Sequence, residues 1–280
     1  MRYPKGSTII STAFDIPLLL QVRNSRFVSR QQLLEFMQHD GLINSYSSYC
    51  SRLLDLLKSR HIQLLEDLNW QGSSVYSIAR NGLMELESRG EFAIALNSRT
   101  RYMPHRIQVF HSLELNNIRL ALTRNSLLAA WRSEIEIASQ NLVSGTYEKD
   151  YDAVVSVWRG DQQQEFALEY ERSLKAASRY ARIRAALERE RRVPAILYLC
   201  AGTDLMLALI YHLTPLAKPV AFATAPAFLE NLLATTVMTG SDGALQRLDT
   251  FLESSSLVAA RGGTSSVCKA FKEWHRSAYV

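Results

Sequence analysis

The strongest constraint on the fold lies between residues 193 and 224. Two largely apolar runs, residues 194–200 and 218–224, flank a largely apolar stretch at 203–213 that reads as a helix. A short apolar run without polar alternation suits a buried strand. Pro194, Gly202, Thr203 and Asp204 interrupt the 193–213 window, which argues for strand, turn and helix and against a membrane span. Asp204, placed just after Gly202 and Thr203, reads as a helix cap.

With 280 residues the chain is long enough for two domains at about 150 residues each. Apolar residues at 47% and charged residues at 21% exclude an intrinsically disordered or collagenous chain. The net charge of +5 permits a nucleic-acid partner only if the cations cluster. Cys50, Cys200 and Cys268 are far apart and form no CxxC, so free thiols in a reducing compartment are expected and a zinc site is not. The first residues lack the apolar core and cleavage site of a signal peptide, and the expected location is cytoplasmic. A polar, basic stretch at 96–104 ending in Pro104 marks a boundary, dividing the chain into residues 1–100 and 101–280.

Ahead of that boundary, Asp15 and Pro17 open a helix carrying Leu18, Leu19 and Val22. Ser29 and Gln32 have capping-box spacing for a short helix over 30–38, ended by Asp40-Gly41. A third helix begins polar and rich in hydroxyls, at Asn44, Ser45, Tyr46, Ser47, Ser48 and Tyr49, and turns apolar at Leu53, Leu54, Leu56 and Leu57. Strand-like runs at 61–68 and 74–78 surround a turn at 69–73, and a fourth helix starts at Arg80. This order of three helices, hairpin and helix resembles winged helix-turn-helix DNA-binding domains. The resemblance implies that the third helix meets duplex DNA through its polar N-terminal end. Candidate phosphate or base contacts are Arg30, Ser45, Tyr46, Ser47, Tyr49, Arg52 and Lys58. Tyr46 and Tyr49 equally suit packing, and the whole unit equally suits a protein-binding or dimerisation module.

Beyond the boundary, an amphipathic helix over 107–123 presents His111, Glu114 and Asn117 on one face. Strand-like runs follow at 127–137, 151–158 and 165–170, the last two joined by a turn at 159–162. A charged helix over 173–191 precedes the apolar strand, helix and strand already described, and residues 226–258 read as another helix. The expected order is α-β-β-β-α-β-α-β, an α+β or α/β arrangement. The order and its acids resemble the PD-(D/E)xK nuclease-like superfamily, whose mixed sheet carries an Asp on one hairpin strand and Glu-x-Lys on the next. That resemblance assigns Asp152 and Glu169 as ligands of a possible Mg2+, with Glu171 on the same strand face. It also makes Asp152, Glu169, Glu171 and Lys175 the candidate catalytic set. Glu171 stands where the superfamily has lysine, and Lys175 is the basic residue placed to reach back. The bland alternative is an ion-pair cluster of Glu169, Glu171 and Lys175. His111 either supports these acids or packs. Arg172, Lys175, Arg179, Arg182 and Arg189 form an approximate stripe, of which Arg179 and Arg182 are candidate DNA contacts; pairing with Glu134, Glu136 or Glu148 is the alternative.

Taken together, the two halves resemble the replication-relaxation family of plasmid and integrative-element proteins. The matching segments are the N-terminal helices, residues 111–122, Trp131, Tyr151-Asp152-Ala153, and residues 166–172 with Tyr180. The implied function is a double-stranded DNA-binding regulator or a replication or transfer accessory, assembled as a homodimer or with protein partners of a replication or transfer complex. A Mg2+-dependent endonuclease and a protein-interaction subunit of a defence or transposition complex are the alternatives. Residues 261–266 read as a loop and 267–274 as a short basic amphipathic helix.

Overall fold

The computed structural model describes residues 9–43, 45–96, 105–240 and 242–260. The boundary stretch after Leu96, Asn44, the loop at 261–266, the segment 267–274 and Cys268 lie outside the described residues. The chain is α+β, with a three-stranded sheet in its first part and a seven-stranded mixed sheet in its second.

The first part opens with α1 (Asp15–Ser25). Asp15 is its first residue and not its cap: the carboxylate accepts from the backbone of Ser11 and is fully buried. A two-residue strand, β1 (Val28–Ser29), escapes any sequence pattern because it is too short to show a period. Helix α2 (Arg30–His39) starts on the expected capping box between Ser29 and Gln32. Helix α3 (Tyr46–Lys58) is capped by Ser45, whose hydroxyl accepts from the Ser48 amide. Strands β2 (Ile62–Trp70) and β3 (Ser73–Ile78) are joined by Gln71 and Gly72, with φ of 50° and 80°. Two consecutive left-handed residues make the type I′ turn whose twist matches a hairpin, and glycine holds the second position without strain. The sheet order is β1-β3-β2. Helix α4 (Arg80–Ser88) follows, with Gly82 pressed against the carbonyl of His61.

In the second part, α5 (Arg106–Arg124) leads into β4 (Leu128–Ser133). The run read as a strand to residue 137 instead turns at Ser133 into α6 (Glu134–Ser144). The apolar alternation of Ile135 and Ile137 imitates a strand. The local chemistry favours a helix: Glu136 accepts from the Ser133 amide at 2.8 Å and from its hydroxyl at 2.6 Å, and Glu134 adds a second acid to the first turn. Strands β5 (Ala153–Arg159) and β6 (Gln162–Glu171) form the expected hairpin, with Ala153 opposite Leu168 and Arg159 opposite Gln162. Helix α7 (Ala177–Arg189) begins later than expected, which leaves Lys175 in the preceding loop. Then come β7 (Ile196–Cys200), α8 (Thr203–Leu213) and β8 (Val220–Thr224). The region read as a single helix over 226–258 holds α9 (Ala225–Asn231), a 3-10 turn, β9 (Thr236–Thr239), β10 (Leu245–Arg247) and α10 (Leu248–Ala260).

The large sheet runs β10-β9-β8-β7-β6-β5-β4, with β6, β7 and β8 parallel and the other neighbours antiparallel. Helices α5, α9 and α10 cover one face over Val155, Phe166, Leu168, Leu197 and Leu199. Helices α6, α7 and α8 cover the other over Val154, Ala167, Ile196, Tyr198 and Phe222. Burial of a large apolar side chain stabilises by about 1.5–3 kcal/mol, so these two layers dominate the folding free energy. The carboxyl ends of β6, β7 and β8 and the start of β5 meet at one end of the sheet. No described helix is long and apolar enough to cross a membrane.

Candidate functional site

The turn between β5 and β6 fixes what happens at that sheet end. Counting back from the Ala153–Leu168 pair brings Asp152 alongside Glu169. The Asp152 carboxylate accepts from the Tyr170 amide at 2.7 Å. Glu169 and Glu171, two residues apart on β6, share a face and are 4% and 3% exposed. The three acids proposed from sequence therefore converge.

Each acid is already met by a base. His111 of α5 lies 3.3 Å from Asp152 and 3.0 Å from the Tyr170 carbonyl, which fixes its Nε2 as a donor. Lys149 is bonded to Glu169, and Lys175 to Glu171. Lys175 thus reaches Glu171, two residues after Glu169 on β6. Lys149 was not anticipated: it sits in the loop between α6 and β5, where nothing in its spacing announces a role. Glu190 is a second unanticipated residue. It is 1% exposed and accepts from the Tyr151 hydroxyl and from the Glu148 and Arg192 amides, pinning the loop that carries Lys149. Beside these acids the Tyr198 hydroxyl is buried without a hydrogen-bond partner.

Burial disfavours a charged His111, but the adjacent Asp152 and the Tyr170 carbonyl outweigh it and raise its pKa to about 9. Burial likewise works against an ionised Asp152, and His111 reverses that, holding its carboxyl below the ordinary value. For Glu169, burial wins over Lys149 and the pKa rises to about 7. Both raised values have the same sign for stability. Glu169 favours the folded state most below its ordinary 4.5, and this contribution is lost as pH rises to about 7. The His111 contribution is complete below its ordinary 6.5 and is lost towards pH 9. Unfolding free energy is expected to fall between pH 6.5 and 9 by on the order of 2 kcal/mol, and His111→Gln should flatten that limb. Stability that stays level or rises over this interval in denaturant titrations would contradict the assignment.

Among the described residues, no three His, Cys, Asp or Glu side chains gather into a group suited to a metal ion. One oxygen of each carboxylate is committed, Asp152 Oδ2 to His111 and the Tyr170 amide and Glu169 Oε1 to Lys149, so a cationic side chain competes at each acid. As placed, this donor set does not fit a bound Mg2+, which needs hard oxygens free of competing cations.

The residues assigned to DNA fall into separate places. Ser45, Tyr46 and Ser47 are exposed together at the start of α3. Arg30, at the start of α2, lies beside them, with its guanidinium 2.7 Å from the Cys50 sulfur and 5.5 Å from the Tyr46 ring centre. Two candidates are corrected. Tyr49 is fully buried and donates to the Arg30 carbonyl at 3.0 Å, so it packs. Arg52 is bonded through Nε and Nη2 to buried Asp15 and the Ile9 carbonyl, and its Nη1 lies 4.0 Å from Asp55, so two acids already hold its guanidinium. Lys58 is exposed at the far end of α3. A groove of about 710 Å³ runs along one flank of α3, lined by Ser11, Phe14, Ser45, Ser48, Arg52 and Asp55 among others.

Arg179 and Arg182 are exposed on α7, and no ion pair engages them among the described residues. The rest of the basic stripe is largely paired: Arg172 with Glu114 at 2.8 Å and Arg189 with Glu148 at 2.8 Å. Glu134 instead meets Arg26, and Glu136 serves the α6 cap. Comparison with protein-family models, with curated proteins and with solved structures found no match to this chain.

Proposed function

We propose that the chain is a double-stranded DNA-binding protein, with residues 1–100 acting as a winged helix-turn-helix. The observation that carries this reading is the uncovered start of α3, where Ser45, Tyr46 and Ser47 stand exposed beside Arg30 while Leu53 and Leu56 anchor the later turns in the core. Such a helix offers polar groups to base edges and phosphates from a rigid support. In the same reading the seven-stranded unit is a nuclease-like module whose acids are neutralised internally. It serves DNA or partner binding in a regulator or a replication or transfer accessory of mobile-element type, assembled as a homodimer. The unpaired Arg179 and Arg182 offer it a phosphate contact of its own.

Gel shifts of the full chain on its own upstream duplex, across a salt series, test the reading. Binding should weaken steeply with salt, and Arg30→Ala should reduce the log–log slope by about 0.9. Salt-insensitive binding, or none to any duplex, would sink it.

A metal-dependent endonuclease is the second reading, favoured by the convergence of Asp152 and Glu169. The lysines bonded to the acids place it second. Supercoiled plasmid incubated with Mg2+ or Mn2+ should stay intact with the wild-type chain. Nicking that disappears in Glu169→Ala would reverse the order of the two readings.

A further inference from the structure

We propose, resting on the DNA reading above, that the β2–β3 hairpin stands off the duplex and clamps α5, leaving the outer stripe of α3 as the reading surface of the N-terminal half. The hairpin is irregular. Leu64 pairs with Tyr76 and Asn69 with Ser74, so Leu65, Glu66, Asp67 and Leu68 oppose Val75 alone. The surplus residues arch the strand. Leu65 and Leu68 turn inward with Trp70 onto Phe27, Val109 and Leu113, and the Trp70 ring lies 5.6 Å from that of Phe110. Leu65, Leu68 and Trp70 are thus spent on this cluster with α5, while Leu64 stays exposed at 42%. The charged groups the hairpin shows to solvent are both acidic, Glu66 and Asp67, beside exposed Gln63, Leu64, Asn69, Gln71 and Gly72, and residues 61–79 contain no lysine or arginine. A polyanion is repelled by such an element, because duplex affinity comes chiefly from cations on phosphates.

Helix α3 offers the opposite. Ser47, Ser51, Leu54 and Lys58 recur at helical spacing and all are exposed, Leu54 at 54%. They span about 16 Å along the helix, comparable with the width of a major groove. Cations stand at both ends, Arg30 at the start and Lys58 with exposed Arg60 at the finish, where groove-flanking phosphates would lie. The two hydroxyls can donate or accept at any base edge, and the Leu54 methyls suit a thymine methyl. Ser51 and Leu54 are therefore assigned as specificity-determining residues, and the hairpin is excluded from contact.

The test uses the full chain and a panel of duplexes differing at single base pairs of its preferred site. Ser51→Ala and Leu54→Ala should each relax discrimination at one or two positions by about fivefold or more, with unchanged thermal melting. Glu66→Lys combined with Asp67→Lys should leave the salt slope as in wild type. A slope steeper by about 1.8 would place the arched middle of β2 on phosphates and overturn the exclusion. An unaltered base preference in both α3 variants would overturn the reading surface. If the wild-type chain binds no duplex, the DNA reading itself fails and takes this inference with it; the other two failures leave that reading standing.

Discussion

Gly82→Ala is expected to lower stability by about 3 kcal/mol, the upper end of the range for overpacking a tightly filled site. A Cβ at this position would sit 2.2 Å from the His61 carbonyl oxygen and 2.7 Å from a terminal carbon of Ile78. The His61 oxygen is backbone and is held by the Ala79 amide at 3.0 Å, so it has little freedom to yield. The side chain of neighbouring Asn81 also donates to the Ser59 carbonyl, fastening the start of α4 to the turn after α3. Relief requires α4 to lift away from β2. For a chain of this size the melting temperature should fall by roughly 5 °C. A shift of under about 2 °C in a thermal melt would show that the helix can move without cost.

Glu190→Ala is expected to cost a similar amount, about 3 kcal/mol, for a different reason. The Tyr151 hydroxyl at 3.0 Å, the Glu148 amide at 3.1 Å and the Arg192 amide at 2.6 Å all donate to this one buried carboxylate. Its removal strands three donors where water enters poorly. Glu190→Gln keeps one acceptor oxygen and should recover roughly half the loss. The alanine variant should also loosen residues 148–151 and so release Lys149 from Glu169, which faster amide exchange of that loop would report. A variant that melts within about 2 °C of wild type would mean that solvent reaches these donors.

How much of this was readable in advance depends on whether the deciding contact is local. The strand and helix over 196–213 were legible because an apolar run, then Gly202 and Thr203, then another apolar run specify strand, turn and helix from neighbours alone. The capping box at Ser29 was legible for the same reason. Helix α6 was misread because Ile135 and Ile137, two residues apart, carry the strand period, and β9 and β10 were missed because four and three residues carry none. At the candidate site, the convergence of Asp152 and Glu169 follows from a hairpin with a two-residue connection, whose register the turn dictates. His111 was noticed as a neighbour of Glu114 and Asn117, but its partner Asp152 is 41 residues away in the chain. Lys149 and Glu190 depend likewise on tertiary approach. So does Arg52, whose capture by Asp15 no periodicity on α3 can reveal.

Helix α5 belongs to three hydrophobic clusters at once. Leu120 closes the N-terminal core, Val109 and Leu113 receive the hairpin, and Leu115, Ile118 and Leu122 pack on the large sheet. Gln32 adds hydrogen bonds at 2.7 Å to the Leu113 carbonyl and to Asn117, and Arg124 pairs with Glu35. It is a party wall. Peptide-bond cleavage ahead of residue 105 would therefore yield two fragments that still co-purify and melt in one step, while a fragment ending there and produced alone would be left with an open side.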